Sequence, residues 1–105
     1  MKANRPLTAR QEAQAERSLV AAMLTQRTPE ELRAFLRDLC TPAELQAMAD
    51  RWAVVEALQR EIPYREIHRL TGVSVTTIGR VARYLAAGNG GYSLAVRRLE
   101  NHRNG

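Results

Sequence analysis

Apolar residues recur at helical spacing through the first half of the chain. The sequence predicts one helix within residues 8–27, a second that begins after Thr28, and a third that begins after Thr41 and ends before Pro63. Thr28 and Thr41 each precede a proline and an acidic residue, an arrangement that favours helix starts. The apolar faces of the second and third helices are predicted to contain Leu32, Phe35, Leu36 and Leu39, and Leu45, Met48, Ala49, Trp52, Val55 and Leu58, respectively.

Two shorter helices are predicted to meet at a glycine in the second half. The first runs from Tyr64 to Leu70 and the second from Ser74 to about Ala87, with Gly72 between them because glycine enters a left-handed turn at little cost. The residues expected to face inward are Ile67, Leu70, Val73, Ile78, Val81, Ala82 and Leu85. A glycine-rich break at 88–91 precedes a last short helix from Tyr92 to about Arg98. The pattern predicts an all-α fold of about six helices.

Length and composition fit one small domain. The chain has 105 residues, a size typical of single domains. We expect residues 1–27 to form a partly flexible helical arm and residues 28–105 to form the folded domain. The longest apolar run, residues 19–24, is far too short for a membrane span, and we expect neither a signal peptide nor a membrane partner. The single cysteine, Cys40, excludes an intramolecular disulfide and suits a cytoplasmic location.

The positive charge is concentrated at one end of the sequence. Residues 1–63 contain nine basic and nine acidic residues, whereas residues 64–105 contain seven arginines against Glu66 and Glu100. The second segment therefore accounts for the whole net charge of +5. A cationic segment of this kind favours polyanions as partners.

The segment from Tyr64 to Leu85 is typical of a helix-turn-helix, and this motif coincides with the cationic half. We expect Ser74 to cap the second helix, Val75 and Thr76 to contact thymine methyl groups, and the hydroxyls of Thr76 and Thr77 to bond bases or phosphates. Arg80 and Arg83 lie on the face opposite the apolar stripe and are predicted to reach phosphates or guanine. The complete set of predicted DNA-binding residues is Tyr64, Arg65, His68, Arg69, Ser74, Val75, Thr76, Thr77, Gly79, Arg80 and Arg83.

Residues from about Leu39 to Leu99 resemble the Trp repressor superfamily, and within it the YerC/YecD-type branch. The segments that resemble it are 40–44, 48–52, 67–83 and the glycine-rich 88–92, the last of which favours that branch. The resemblance implies an intertwined, all-helical homodimer that binds double-stranded DNA. It also implies that His68 faces DNA, and we expect Arg97 and Arg98 to join the phosphate contacts.

The same resemblance implies an effector pocket. In the repressor, tryptophan is held between two arginines, which correspond here to Arg51 and Arg80, and Thr41 matches a further pocket residue. Val81 and Tyr84 stand where the repressor has smaller residues, so we expect no tryptophan corepressor and no cofactor. The arginines could instead pair with Asp50 or Glu56, contact phosphate through Arg80, or hold another small anion.

The sequence thus predicts a cytoplasmic, nucleoid-associated transcriptional regulator, with repression as the expected mode. Two alternatives remain: a protein interaction module with only non-specific attraction to DNA, and an amino-acid-responsive repressor. The sequence offers no catalytic motif and no metal-ligand spacing, so we expect neither an enzyme nor a metal site.

Overall fold

The computed structural model describes residues 6–104, and all regular structure in this range is α-helical. The predicted arm (1–27) and domain (28–105) thus each extend beyond the described range, the arm by residues 1–5 and the domain by residue 105. The six helices are α1 (Ala9–Leu24), α2 (Pro29–Leu39), α3 (Pro42–Gln59), α4 (Tyr64–Thr71), α5 (Val75–Ala87) and α6 (Gly91–Asn104). The predicted all-α fold of six helices is confirmed.

The chain divides into two compact units between Pro42 and Ala43. The first unit contains α1 and α2, and the second contains nearly all of α3 together with α4, α5 and α6. The predicted division into an arm and a single domain at residue 28 stays a prediction.

Local capping bonds define both helices of the first unit. Thr8 and Gln11 form a reciprocal capping box at the start of α1, where each side chain bonds the other residue's backbone N–H. At the start of α2, the Thr28 hydroxyl accepts the N–H of Glu31 at 3.1 Å, and Pro29 occupies the first helical position. Neither helix contains a buried residue. These helices are therefore specified by their ends rather than by a core of their own.

The second unit contains the hydrophobic core. Its buried residues are Val54, Val55 and Ala57 of α3, Ile67 of α4, Val73 of the following turn, and Ile78 and Val81 of α5. Half-buried side chains, including Trp52, Leu85 and Tyr92, pack against this cluster. The core thus fixes α5 against α3 and α4.

The structure differs from the sequence prediction at three places. The last helix extends to Asn104 instead of ending near Arg98, because residues 99–103 contain neither glycine nor proline to stop it. Leu70, expected to face inward, is 57% exposed. In α3 the predicted face is only partly correct, since Val54 is fully buried while Met48 is 40% exposed.

Candidate nucleic-acid interface

α4 and α5 form a two-helix corner joined by the turn 72–74. Gly72 adopts a left-handed conformation with φ of 75°, and its N–H donates to the carbonyl of His68 at 2.8 Å, which ends α4. Ser74 then caps α5 by accepting the N–H of Thr77 at 3.1 Å. The corner therefore starts and stops where the sequence predicts.

Side chains of α4 hold the backbone of the turn at Val73. The Val73 N–H donates to the Thr71 hydroxyl at 3.1 Å, and that hydroxyl donates in turn to the carbonyl of Ile67 at 2.7 Å. The Val73 carbonyl lies 2.7 Å from Nδ1 of His68. Because the Val73 side chain is buried, its backbone groups need such partners within the protein.

Most of the residues predicted to bind DNA are exposed along this corner. The exposed members are Tyr64, Arg65, His68, Arg69, Ser74, Val75, Thr76, Arg80 and Arg83. Thr77 and Gly79 are half-buried. The Thr77 hydroxyl oxygen also accepts a bond from the Ser74 hydroxyl at 3.0 Å, so one of its two lone pairs is engaged in the cap. A Cβ atom placed on Gly79 would meet nothing within 4 Å.

The arginines of the corner differ in their surroundings. Arg69 forms an exposed ion pair with Glu66, in which Nε donates to Oε1 at 2.7 Å and Nη2 bonds Oε2. This hydrogen bond lowers the pKa of the Glu66 carboxyl, and it raises the pKa of Arg69. Arg65 and Arg83 have no ion pair among residues 6–104. They are therefore more available to an anionic partner than Arg69.

An open cleft of about 320 Å³ lies within the second unit beside α5. Its lining residues are Arg51, Arg80, Val81, Tyr84, Asn89, Gly91 and Tyr92. The structure thus brings Arg51 and Arg80 to one cleft, whereas Thr41, the third predicted pocket residue, belongs to the other unit. Within the described range neither arginine forms an ion pair with Asp50 or Glu56.

Arg80 stacks on an aromatic ring at the edge of this cleft. Its guanidinium carbon lies 4.7 Å from the centroid of the Tyr84 ring, one helical turn further along α5. This is a favourable cation–π geometry. The Tyr84 side chain therefore covers one face of the Arg80 cation, while Val81, only 2% exposed, belongs to the core.

Sequence reasoning missed the part of the cleft that comes from the loop and the start of α6. Asn89, Gly91 and Tyr92 line it, and Tyr92 also packs its ring 6.3 Å from that of Trp52. The available signal was Gly88, where a Cβ would collide with the Tyr84 backbone carbonyl. A glycine required at the C-cap of α5 indicates that the chain leaves the helix there in a conformation that a side chain would block.

Among residues 6–104, none of the helices has the length and apolar character that a membrane span requires. Residues 6–104 contain no group of three or more His, Cys, Asp or Glu side chains arranged to hold a metal ion.

Comparison with known proteins identifies close relatives. A family model described as Trp repressor protein matches residues 14–100. The uncharacterized protein YerC of Bacillus subtilis (strain 168) is 38% identical over 82 residues, which cover 78% of this chain and 79% of YerC.

Two solved structures are also similar to this chain. The crystal structure of a TrpR-like protein from Eubacterium eligens superposes with a TM-score of 0.78 at 36% identity, over 83% of this chain and 90% of the other. A candidate Trp repressor from Staphylococcus aureus gives a TM-score of 0.78 at 31% identity, over 90% of this chain and 96% of its own.

Proposed function

Because the chain belongs to the Trp repressor family, we propose that it is a sequence-specific DNA-binding regulator of transcription, with repression as its expected mode. The observation that supports this most directly is the corner formed by α4 and α5. Its core side is fixed by Ile67, Ile78 and Val81, while most of the polar and basic residues of the helix-turn-helix prediction stay exposed. A rigid support with a cationic outer surface is what major-groove binding requires.

In the proposed complex, α5 enters the major groove as the recognition helix. Val75, Thr76 and Gly79 lie nearest the bases, since they occupy its first turns and the space around Gly79 is open. Arg65 and Arg83 contact phosphates, because neither is engaged by a carboxylate. Arg69 contributes less, since Glu66 already neutralises part of its charge.

We further propose that the protein acts as a homodimer. Large apolar side chains on α1 and α2 are left uncovered in the single chain: Leu19, Val20, Leu24 and Leu39 are 37%, 49%, 79% and 51% exposed. A second copy would remove this apolar surface from water. Two recognition helices related by a dyad would then contact half-sites about 34 Å apart, a spacing taken from helix-turn-helix dimers as a class, the Trp repressor among them.

The cleft supports a regulator that works without tryptophan. Tyr84 already covers one face of the Arg80 cation, where an aromatic ligand would otherwise stack. An amino-acid-responsive repressor is the second candidate, and it is favoured by the presence of Arg51 and Arg80 in one open cleft. Calorimetric titration with tryptophan and other amino acids separates the two: heat of binding supports the second candidate, and its absence supports the first.

Within this proposal the protein works in the cytoplasm on the nucleoid, and we expect no catalytic activity, no cofactor and no bound metal. The exposed residues assigned to DNA contact then include four of the seven arginines in residues 64–105. The remaining alternative is a protein interaction module whose basic corner attracts DNA without regard to sequence.

The deciding experiment is genome-wide capture of DNA fragments by the purified protein at about 150 mM salt, where non-specific electrostatic binding is weak. Footprinting of the best fragment follows, with and without tryptophan. A discrete palindromic footprint that tryptophan does not change is the expected result. Diffuse capture that disappears with added salt would overturn the proposal in favour of the interaction module.

A further inference from the structure

The turn between α4 and α5 is held at one residue from three directions. The Val73 side chain is in the core, its N–H bonds Thr71, and its carbonyl bonds His68. Both polar partners come from α4, and neither belongs to the regular hydrogen bonds of a helix end. Val73 is also the residue directly before Ser74, which caps α5. Any rotation of Val73 would therefore change the direction in which α5 leaves the corner.

The chemistry of the His68 contact determines the state of the ring. A backbone carbonyl can only accept a hydrogen bond, so Nδ1 of His68 must hold a proton to bond Val73. In the neutral ring the other nitrogen, Nε2, is then unprotonated. Nδ1 keeps its proton in the charged ring too, so the bond to Val73 persists in both states.

We propose that His68 and Thr71 are positioning residues that set the angle of the recognition helix by fixing the backbone of Val73. This inference rests on the proposed DNA-binding function and assigns the specificity of that function partly to residues that hold the turn before α5. It adds a second role to the expectation that His68 faces DNA. A contact through the ring would depend on Nε2, whereas positioning depends on Nδ1.

The two roles can be separated by a matched pair of substitutions. In His68→Asn the side-chain amide stands at the place of Nδ1 and can still bond Val73. In His68→Gln the amide reaches instead to the place of Nε2. Thr71→Ser, which keeps the hydroxyl, and Thr71→Val, which removes it at nearly equal volume, form the equivalent pair on the other side of Val73.

The first measurement needs no DNA. Nitrogen NMR of the imidazole ring at alkaline pH should show the proton of neutral His68 on Nδ1, with His102 in the same spectrum as an internal reference. Amide exchange of Val73 should be faster in Thr71→Val than in Thr71→Ser. A proton on Nε2 of His68 would overturn the inference, whatever the protein does with DNA and whether or not any variant folds.

The second measurement is the affinity ratio between the best captured fragment and a random duplex of equal length. We expect Thr71→Val to lower this ratio roughly three- to tenfold, the effect of one hydrogen bond, while Thr71→Ser stays close to the wild type. His68→Gln should lower the ratio more than His68→Asn does, because only the asparagine amide can still bond Val73. Equal losses in His68→Asn and His68→Gln would overturn the positioning role. If the wild type selects no fragment, the proposed function fails, and the ring measurement alone decides whether His68 holds Val73.

Discussion

The two units of the chain use the same kind of helix start but differ completely in burial. Thr28 caps α2 and Ser74 caps α5 in the same way, since each hydroxyl accepts a backbone N–H at 3.1 Å. Yet α1 and α2 contain no buried residue, whereas α3, α4 and α5 provide a core whose largest members are fully shielded from water. Local signals are thus enough to place a helix, but only the second unit has the buried apolar area that holds helices together.

The largest effect is expected from a substitution that leaves a cavity in the core of the second unit. Ile78 is fully buried at the centre of the core, so Ile78→Ala should lower the free energy of unfolding by about 2–5 kcal/mol. Val75, on the same helix, is 53% exposed, and Val75→Ala should change it by less than about 0.5 kcal/mol. Urea denaturation followed by Trp52 fluorescence measures both. Similar losses in the two variants would contradict the assignment of the core.

The next test concerns the uncovered apolar surface of the first unit. Leu24 is 79% exposed, so Leu24→Asp should hardly change the unfolding of an isolated chain. In the proposed homodimer each copy would lose about 1.5–3 kcal/mol of apolar burial, and the dissociation constant should rise more than about tenfold. Sedimentation equilibrium measures this, with Gln14→Asp on the same helix as the control for added charge. An unchanged dimer would show that this part of α1 is not at the interface.

A pair of cap substitutions tests whether loss of the same local bond affects the stability of the two units differently. Thr28→Ala and Ser74→Ala each remove a cap worth about 1 kcal/mol. Because α5 contributes Ile78 and Val81 to the core, Ser74→Ala should lower the global stability and the amide protection of Ile78. Thr28→Ala should reduce protection only within α2. Hydrogen exchange read residue by residue distinguishes these outcomes, and loss of Ile78 protection in Thr28→Ala would show that the two units unfold together.

The smallest effect concerns the ion pair on α4. Its hydrogen bond lowers the pKa of Glu66, so the contribution of the pair to folding is present above the ordinary pKa of glutamate and is lost as pH falls through the lowered value.

Glu66→Gln should release Arg69 and steepen the salt dependence of binding to random DNA by up to about one unit. Glu30→Gln, on α2, removes the same charge from the first unit and should leave that dependence unchanged. Identical slopes for Glu66→Gln and the wild type would show that Arg69 does not contact phosphate.

The helix boundaries were largely predictable because most of them depend on local residues. Threonine, serine, proline and glycine mark the starts and stops, and the structure places the helices at these residues. The end of α6 was missed because nothing between Leu99 and Arg103 stops a helix, so the sequence contains no boundary to find.

Burial was less predictable than secondary structure, for geometric reasons. Leu70 lies about 60° around the helix from Ile67, close enough to share its predicted face, but the eight-residue α4 buries only Ile67. In α3 the buried residues Val54 and Val55 are adjacent in sequence, so their side chains point in directions about 100° apart. A single-stripe model assumes one covered face and therefore misses Val54.

The candidate site, too, was only partly predictable from the sequence. The polar and basic residues of α4 and α5 could be selected from their types and helical positions. The bonds that hold Val73 depend on side-chain rotamers at His68 and Thr71, which sequence spacing does not fix. The stacking of Arg80 on Tyr84 follows helical spacing, but the open cleft beside it depends on the path of the loop at 88–91.

Gly79 is a position on the proposed DNA surface that has no side chain and has open space beside it. It lies inside α5 on the recognition helix, where glycine costs about 1 kcal/mol relative to alanine, and the space that a side chain would enter is open. A substitution by a better helix former could therefore add a side chain to the proposed DNA surface while also making the helix more stable. At Gly79, replacement by alanine would alter the proposed DNA surface and favour the helix at the same time.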